Sequence, residues 1–356
     1  MAVAETDTYD VIVLGAGSSG ENVAARAARG GLSTVVVESE LVGGECTFWA
    51  CIPSKALLRP AQALAAARDV GGSREAVHGS LDVAAVLARR DSFTGHWDDS
   101  SGEAWLAGVP VSLVRGRARL DGARKVMVEV TAGGTRSLTA RHAVAVCTGS
   151  APAMPPVAGL AEVRPWTSRE GTSATVPPRR LAVLGGGPIG CELAMVFRSL
   201  GSEVVLVEVA DRLLSNLEPF AGELVAEALS GQGVEVRTGT RVTGAERDGG
   251  KGPITVELDG SQRLETDELL VATGRRPNTA DLGLDTVGLE PGGWLRVDDS
   301  GRVEGVEGGW LYAAGDVNGR ALFTHQGKYQ ARAAGAAIVA RARGELSDEV
   351  APWSRC

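Results

Sequence analysis

The chain has 356 residues, 44% hydrophobic and 22% charged, with a formal net charge of −8. That length accommodates two or three domains with sizeable cores, and an acidic balance with no basic block argues against a nucleic-acid surface. Residues 1–10 lack the positive and apolar regions of a secretory leader, and the apolar run 333–340 is far below spanning length, so a cytoplasmic protein without a membrane partner is expected.

Residues 11–14 (Val-Ile-Val-Leu) read as a buried parallel strand, followed by Gly15-Ala16-Gly17-Ser18-Ser19-Gly20, an alanine-rich helix and a second strand at 34–37 that ends in Glu38. This is a dinucleotide fingerprint in its full context. Gly15 permits the tight turn, Gly17 lets backbone approach a pyrophosphate, Gly20 allows the helix to pack closely, and Glu38 can accept from ribose hydroxyls.

The next segment, Gly43-Gly44-Glu45-Cys46-Thr47-Phe48-Trp49-Ala50-Cys51-Ile52-Pro53-Ser54-Lys55, places two cysteines five positions apart just before a helix start. Five residues of regular helix rise about 7.5 Å, more than the Cα separation of a disulfide allows, so the turn between Cys46 and Cys51 must be distorted if they pair. A thiolate at the helix start would be stabilised by free N–H groups and the helix dipole. Taken alone, C-x4-C is equally a pair of buried thiols, because the spacing is not a zinc signature. An odd, low total of five cysteines argues against a disulfide framework, and Cys147, Cys191 and Cys356 read as packing residues.

Residues 56–107 read as largely helical, with Pro60 expected to kink or interrupt the first helix. Short β runs from 111 to 130, separated by Asp121-Gly122 and Gly133-Gly134, suggest hairpins. A buried strand at 143–147 ends at Thr148-Gly149-Ser150, and the proline-rich stretch 151–156 reads as a crossing between domains.

The first fingerprint then repeats. Gly185, Gly187, Gly190 and Glu208 each lie 170 positions beyond Gly15, Gly17, Gly20 and Glu38 (185 minus 15; 208 minus 38). Two fingerprints imply two dinucleotides, and an acid at 208 favours a free 2′-hydroxyl over a 2′-phosphate, with Arg212 nearby as a counterweight. A helix at 220–229, strands near 234–242 and at 254–258, and the strand 269–272 before Thr273-Gly274 complete this unit. A last strand at 310–314 ends in Gly315-Asp316, and an alanine-rich helix over 327–343 offers a second anchor for a pyrophosphate.

With these motifs in order, the chain resembles the glutathione reductase and dihydrolipoamide dehydrogenase family of FAD-dependent pyridine nucleotide disulfide oxidoreductases, along nearly all its length. The resemblance rests on both fingerprints, residues 44–55, Thr148-Gly149, Ala272-Thr273-Gly274-Arg275-Arg276-Pro277-Asn278, Ala314-Gly315-Asp316 and Phe323-Thr324-His325. It implies an α/β fold of two Rossmann-like dinucleotide-binding domains, for FAD and NAD, the second inserted in the first. Residues 1–155 would be the FAD domain with the redox cysteines, 156–280 the NAD domain, 281–345 the return segment completing the FAD domain, and 346–356 the start of a dimerisation domain.

By resemblance FAD would touch Gly15, Ala16, Gly17, Ser18, Ser19, Gly20, Glu38, Gly44, Cys46, Lys55, Ala118, Thr148, Gly149, Ser150, Asp316, Leu322, Phe323, Thr324 and His325. NAD would touch Gly185, Gly186, Gly187, Pro188, Ile189, Gly190, Glu192, Glu208, Val242 and Gly274. Cys46 would be the interchange thiol, Cys51 the charge-transfer thiol, and Lys55 would lie near the flavin, paired with Glu192. The implied activity passes electrons between NADH and a small or protein-bound disulfide. The alternatives are mercuric-ion or quinone reduction within the same family, or a catalytically incomplete FAD- and NAD-binding fragment.

The last alternative arises because the family continues for about 100 further residues, a normal domain size, which form the homodimer interface and supply a His-Pro acid/base motif. None of the four histidines here, at 78, 96, 142 and 325, precedes a proline, and Pro188 stands where several members carry a tyrosine. The expectation is a chain lacking that interface domain.

Overall fold

The computed structural model describes residues 6–250 and 252–346; Cys356 and nearly all of the expected interface segment lie outside the described residues. In chain order the elements are β1 (Thr6–Leu14), α1 (Ser18–Arg29), β2 (Thr34–Glu38), α2 (Gly44–Phe48), α3 (Cys51–Asp69), α4 (Val83–Phe93), α5 (Ser100–Gly108), β3 (Val111–Leu120), β4 (Lys125–Val130), β5 (Thr135–Val146) and β6 (Ser150–Pro152). There follow α6 (Ser168–Ser173), β7 (Arg180–Leu184), α7 (Pro188–Ser199), β8 (Glu203–Val207), α8 (Pro219–Gly231), β9 (Glu235–Arg237), β10 (Val242–Arg247), β11 (Ile254–Leu258), β12 (Arg263–Thr266), β13 (Glu268–Val271), β14 (Arg275–Pro277), β15 (Leu311–Ala313) and α9 (Thr324–Ala342). The described residues form two compact units, one drawn from the ranges 1–46, 97–151 and 276–356, the other from 47–96 and 152–275. Among the described residues no helix is long and apolar enough to cross a membrane.

In the first unit, β1 pairs in parallel with β2 and β5, β2 with the start of β3, and β5 with β15. The short β runs expected over 111–130 are present, parted at Asp121-Gly122 as expected, and the first of them is the ten-residue strand β3. Its first half, Val111 to Arg115, joins the parallel sheet, and its second half, Gly116 to Leu120, pairs antiparallel with β4. The first half of β5 pairs antiparallel with β4 on one edge while its other edge stays parallel with β1, so β3, β4 and β5 form a hairpin extension turned at the predicted glycines. The apolar run 11–14 is continuous because both faces of the strand are covered. Val11 and Val13 pack beneath α1 and α9, and Ile12 and Leu14 pack against the hairpin extension and residues 282–317.

The second unit repeats the plan. Its parallel sheet runs β13-β7-β8-β9, and a three-stranded antiparallel sheet, β10-β11-β12, covers one face. Leu181 and Val183 face α7 and α8, while Ala182 and Leu184 face Val242, Ile254 and Val256. The helices that open the two fingerprints, α1 and α7, each have 12 residues and begin 170 positions apart (188 minus 18). Within this unit α3 and α4 pack on α7 through Leu57, Leu58, Val86, Val196 and Leu200.

Pro60 does not end α3, which runs unbroken from Cys51 to Asp69. The fixed φ of proline suits a helix, and what it forfeits is its own N–H bond and the fit of the carbonyl four residues earlier. That carbonyl belongs to Ala56, and burial of Ala56, Leu57 and Leu58 holds the helix together through the defect.

Helices α1 and α9 run parallel and close because small residues line their seam. A Cβ on Gly335 would lie 2.7 Å from Arg26 Cβ and 3.1 Å from the Val23 carbonyl oxygen, whereas Gly108, at the exposed end of α5 in the same unit, has nothing within 4 Å. Alanine gains about 1 kcal/mol of helix propensity at either site, and overpacking costs about 1 to 3 kcal/mol where there is no room. Gly335→Ala should therefore lower the thermal midpoint and Gly108→Ala raise it slightly; a rise in both would show that the seam yields freely.

Candidate active site

Each fingerprint turns on a backbone that tolerates no side chain at two of its three glycines. Gly15 has φ +97° and a Cβ there would sit 2.6 Å from the Cys147 carbonyl oxygen; a Cβ on Gly20 would overlap the carbonyl oxygen of Gly15. The second loop copies this, with Gly185 at φ +108° and 2.6 Å from the Ala272 oxygen, and Gly190 pressed on the carbonyl of Gly185. The middle glycines differ. Gly17 (φ −73°, ψ 179°) and Gly187 (φ −75°, ψ −179°) hold extended backbone that any residue adopts. The nearest atom to a Cβ at Gly17 is 3.8 Å away, and at Gly187 nothing lies within 4 Å.

The two acids strap the loops from below. The Ala16 N–H donates to Glu38 Oε2 at 2.5 Å and the Glu40 N–H to Oε1 at 2.7 Å; the Gly186 N–H donates to Glu208 Oε2 at 2.5 Å and the Ala210 N–H to Oε1 at 2.7 Å. Burial pushes the Glu38 carboxyl above its ordinary range despite these donors. Arg212 is engaged elsewhere, its guanidinium donating to the carbonyls of Leu214 at 3.2 Å and Ser215 at 2.7 Å.

Around the first loop the structure gathers residues distant in sequence. A Cβ on Gly44, which has φ +60°, would lie 2.8 Å from Gly17 Cα, so the loop and the head of the cysteine segment meet glycine to glycine. The Ser19 side chain occupies the space that a Cβ on Gly315 or Gly327 would need, which brings the N-termini of α1 and α9 together. Ser150 Oγ donates to Asp316 Oδ2 at 2.7 Å. Thr148 Oγ1 donates to the Asn278 carbonyl at 3.0 Å, and Asn278 Nδ2 returns a bond to the Thr148 carbonyl at 2.9 Å. Gln330 Oε1 accepts from the Gly315 N–H at 3.1 Å and Asn318 Nδ2 at 2.8 Å, fixing the turn that carries Asp316. Sequence reasoning assigned no role to Gln330 and none to the Asn278 side chain. Their partners lie 15 and 130 positions away, and no local pattern marks either.

The remaining expected contacts are scattered by element. Ala118 lies in the antiparallel half of β3, opposite Val128. Leu322 and Phe323 precede α9 and are exposed, Thr324 and His325 open that helix, and the rings of Phe323 and His325 stack at 5.7 Å. Helix α9 thus begins three residues before the expected Gly327. In the second unit Pro188 and Ile189 form the first turn of α7, Val242 opens β10 and is buried, and Gly274 has φ +150°.

The cysteine segment is two helices with a break between them. Cys46 lies in α2, which ends at Phe48; Trp49 and Ala50 leave helical geometry (Ala50 φ −133°, ψ −99°), and Cys51 is the first residue of α3. Lys55 is one turn on from Cys51, at i,i+4 on the same helical face. Its Nζ lies 2.7 Å from both carboxylate oxygens of Glu192, on the helix that the second fingerprint opens. Lys55 is largely exposed, so this pair orients side chains more than it stabilises the fold.

The chain is similar along nearly all its length to known proteins. The family model for pyridine nucleotide-disulphide oxidoreductases matches residues 9–340. The chain is 36% identical to dihydrolipoyl dehydrogenase 3 of Pseudomonas aeruginosa, over 97% of this chain and 74% of that protein. It is 31% identical to a mercuric reductase of Lysinibacillus sphaericus, over 98% of this chain and 62% of the relative. Among solved structures, LpdA of Mycobacterium tuberculosis superposes with a TM-score of 0.81 at 24% identity, over 97% of this chain and 74% of that one, which speaks to the fold. The chain belongs to the pyridine nucleotide-disulphide oxidoreductase family, whose enzymes use FAD and NAD(P).

The four cysteines among the described residues divide by environment. Cys46 and Cys51 are half-buried, whereas Cys147 and Cys191 are buried. Burial pushes the Cys147 thiol up to about 12, and burial together with the carboxylates of Glu208 and Glu192 does the same for Cys191. In reduced native protein at pH 8, iodoacetamide should label Cys46 and Cys51 and spare Cys147 and Cys191. A thiol whose folded value is raised holds its proton longer folded than unfolded, so its contribution to stability is full below pH 9 and is lost as pH rises toward 12. Alkaline unfolding in that window should accordingly be delayed in Cys147→Ala; labelling of Cys147 ahead of Cys51 would contradict the assignment.

Proposed function

We propose that this chain is an NADH-dependent FAD disulfide oxidoreductase in which Cys46 and Cys51 form the redox pair. The observation that carries the reading is the middle glycine of each fingerprint. Gly15, Gly20, Gly185 and Gly190 are demanded by the fold, but Gly17 and Gly187 have ordinary backbone angles and room for a Cβ. A glycine the protein itself does not need is accounted for by a ligand that approaches the backbone, and two such loops at helix N-termini fit two pyrophosphates. FAD is assigned to the first, held by the N-termini of α1 and α9, Glu38 and the Ser150–Asp316 pair, and NAD to the second, held by α7 and Glu208.

When bound, the cofactors supply a two-electron path from the nicotinamide through the flavin to the Cys46–Cys51 disulfide. The chain's own residues do the rest. Cys51 stands at the start of α3, where free N–H groups and the helix dipole favour a thiolate. Cys46 thiolate attacks one sulfur of a substrate disulfide, forming a mixed disulfide and releasing the first substrate thiolate. Cys51 then attacks Cys46 sulfur, which restores the internal disulfide and releases the second. The net change is NADH, a proton and a disulfide going to NAD and two thiols.

For substrate we favour a lipoamide-type disulfide, small or protein-bound, after the dihydrolipoyl dehydrogenases among the relatives, and for location the cytoplasm. Homodimer contacts are assigned to the part of the relatives' length that these residues do not span. The NADH preference follows from Glu208 at the ribose position and from Arg212, which is committed to backbone carbonyls and so leaves a 2′-phosphate facing a carboxylate.

Purified protein should be yellow or become so with FAD, and NADH should expose two additional thiols per chain, a response lost in Cys46→Ser and in Cys51→Ser. Colourless protein after refolding with FAD overturns the cofactor assignment, and an unchanged thiol count overturns the redox pair. NADH should reduce the protein faster than NADPH in stopped flow, and Glu208→Ala should erode that preference by about 1 to 3 kcal/mol, the cost of removing a buried polar partner. Equal rates in the parent would refute the specificity.

A further inference from the structure

Trp49 stands in the two-residue break between the helices that carry Cys46 and Cys51. Helix α6 of the same unit grips it twice. The Arg169 guanidinium lies over the indole at 4.1 Å from the ring centroid, and Thr172 Oγ1 lies 3.0 Å from the Trp49 carbonyl, sharing its proton with the Ser168 carbonyl at 2.9 Å. Phe48 supports the indole from its other neighbour, ring to ring at 5.7 Å.

Six residues are too few to make a helix that stands alone, and α6 is nailed at both ends. At its start, Thr167 and Glu170 form a reciprocal capping box, with the Thr167 N–H 2.8 Å and its hydroxyl 2.6 Å from Glu170 Oε2. At its end, the guanidinium of Arg90, 1% exposed, donates to the carbonyls of Thr172 at 2.6 Å and Ala174 at 3.0 Å. A buried arginine from α4 thus fixes α6, and α6 fixes the residue two places before Cys51. Immediately beyond, the Ser54 N–H closes the first turn of α3 on the Ala50 carbonyl at 3.0 Å.

We propose that Arg169 and Thr172 are positioning residues that hold the non-helical link between the two cysteines and thereby favour the Cys46–Cys51 disulfide over the dithiol. A disulfide requires a narrow range of Cα separation, and a link free to relax toward continuous helix moves the sulfurs out of that range. The proposal rests on the redox-pair reading given above.

The test is a redox titration of the FAD-loaded protein in dithiothreitol buffers, with acid quench, alkylation and mass determination of the Cys46–Cys51 peptide. Parent, Arg169→Met, Arg169→Lys and Thr172→Val are compared at a temperature where all are folded by circular dichroism. Arg169→Met and Thr172→Val should each lower the equilibrium constant for the disulfide by about three- to tenfold, a shift of about 14 to 30 mV toward easier reduction. Arg169→Lys, which keeps a cation over the ring, should fall between them and the parent. Thr172→Val keeps the shape of the side chain and serves where Arg169→Met fails to fold. One midpoint shared by all four proteins overturns the positioning role and leaves the redox pair standing. A parent that never forms the Cys46–Cys51 disulfide overturns both.

Discussion

Helix pressed on glycine turn, backbone against backbone, is the constraint from which the rest of the molecule follows. Because Gly20 rides on the carbonyl of Gly15, and Gly190 on that of Gly185, each helix begins directly over the end of its strand with its free N–H groups facing outward. The glutamate at the end of the following strand can then reach back and bond the N–H beside the first glycine, which locks the loop from below. For Glu38 the arrangement is held at a cost, since burial raises its carboxyl even with two N–H donors in place. A raised folded value contributes stability that is full below the unfolded range and lost as pH climbs through it. Burial thus weighs against ionisation of this carboxyl, while the two N–H donors act in the opposite sense.

The covering of both sheet faces follows from the same turn. A helix that starts at the end of a buried parallel strand must return along one face, and the opposite face needs its own cover. The first unit supplies it by letting β3 run out of the parallel sheet into a hairpin with β4, whose other edge pairs with β5, and the second by a separate three-stranded sheet. On the helical face, α1 and α9 lie so close that Gly30, Gly327 and Gly335 are required along the seam. That closeness is what lets two helix N-termini share one point in space.

Much of this was legible in the sequence, and the boundary of legibility is physical. The strand, turn, helix and acid of each fingerprint are local, so their 170-residue repeat could be read directly, as could the cysteine pair and the distortion of helix between its members. Partners brought together only by folding could not. Asn278 with Thr148, Gln330 with Gly315, and Arg169 with Trp49 each join residues with no shared local pattern. Strand β5 (Thr135–Val146) was read only as its apolar end at 143–147, because residues 135–142 are only intermittently buried whereas 143–146 are buried throughout. Pro60 was expected to kink or interrupt its helix, and α3 runs on through it, held by burial of Ala56, Leu57 and Leu58.

The two fingerprints share a plan but differ in their surroundings, and the difference bears on the roles proposed for them. At the first, Glu38 is buried, Gly44 meets Gly17, and Ser19 is locked between Gly315 and Gly327, so segments from four parts of the chain close over one loop. At the second, Glu208 is half-buried, Val209 beside it is exposed, and nothing among the described residues stands within 4 Å of a Cβ at Gly187. A ligand enclosed from several directions leaves slowly, because many contacts must break together, whereas one resting on a single open loop exchanges quickly. An oxidoreductase of this family needs both behaviours, since a flavin that accepts and passes on electrons must stay through many turnovers while the nicotinamide must depart after each. The enclosure of the first loop and the openness of the second thus provide a reason, independent of motif order, for placing FAD at residues 15–20 and NAD at residues 185–190.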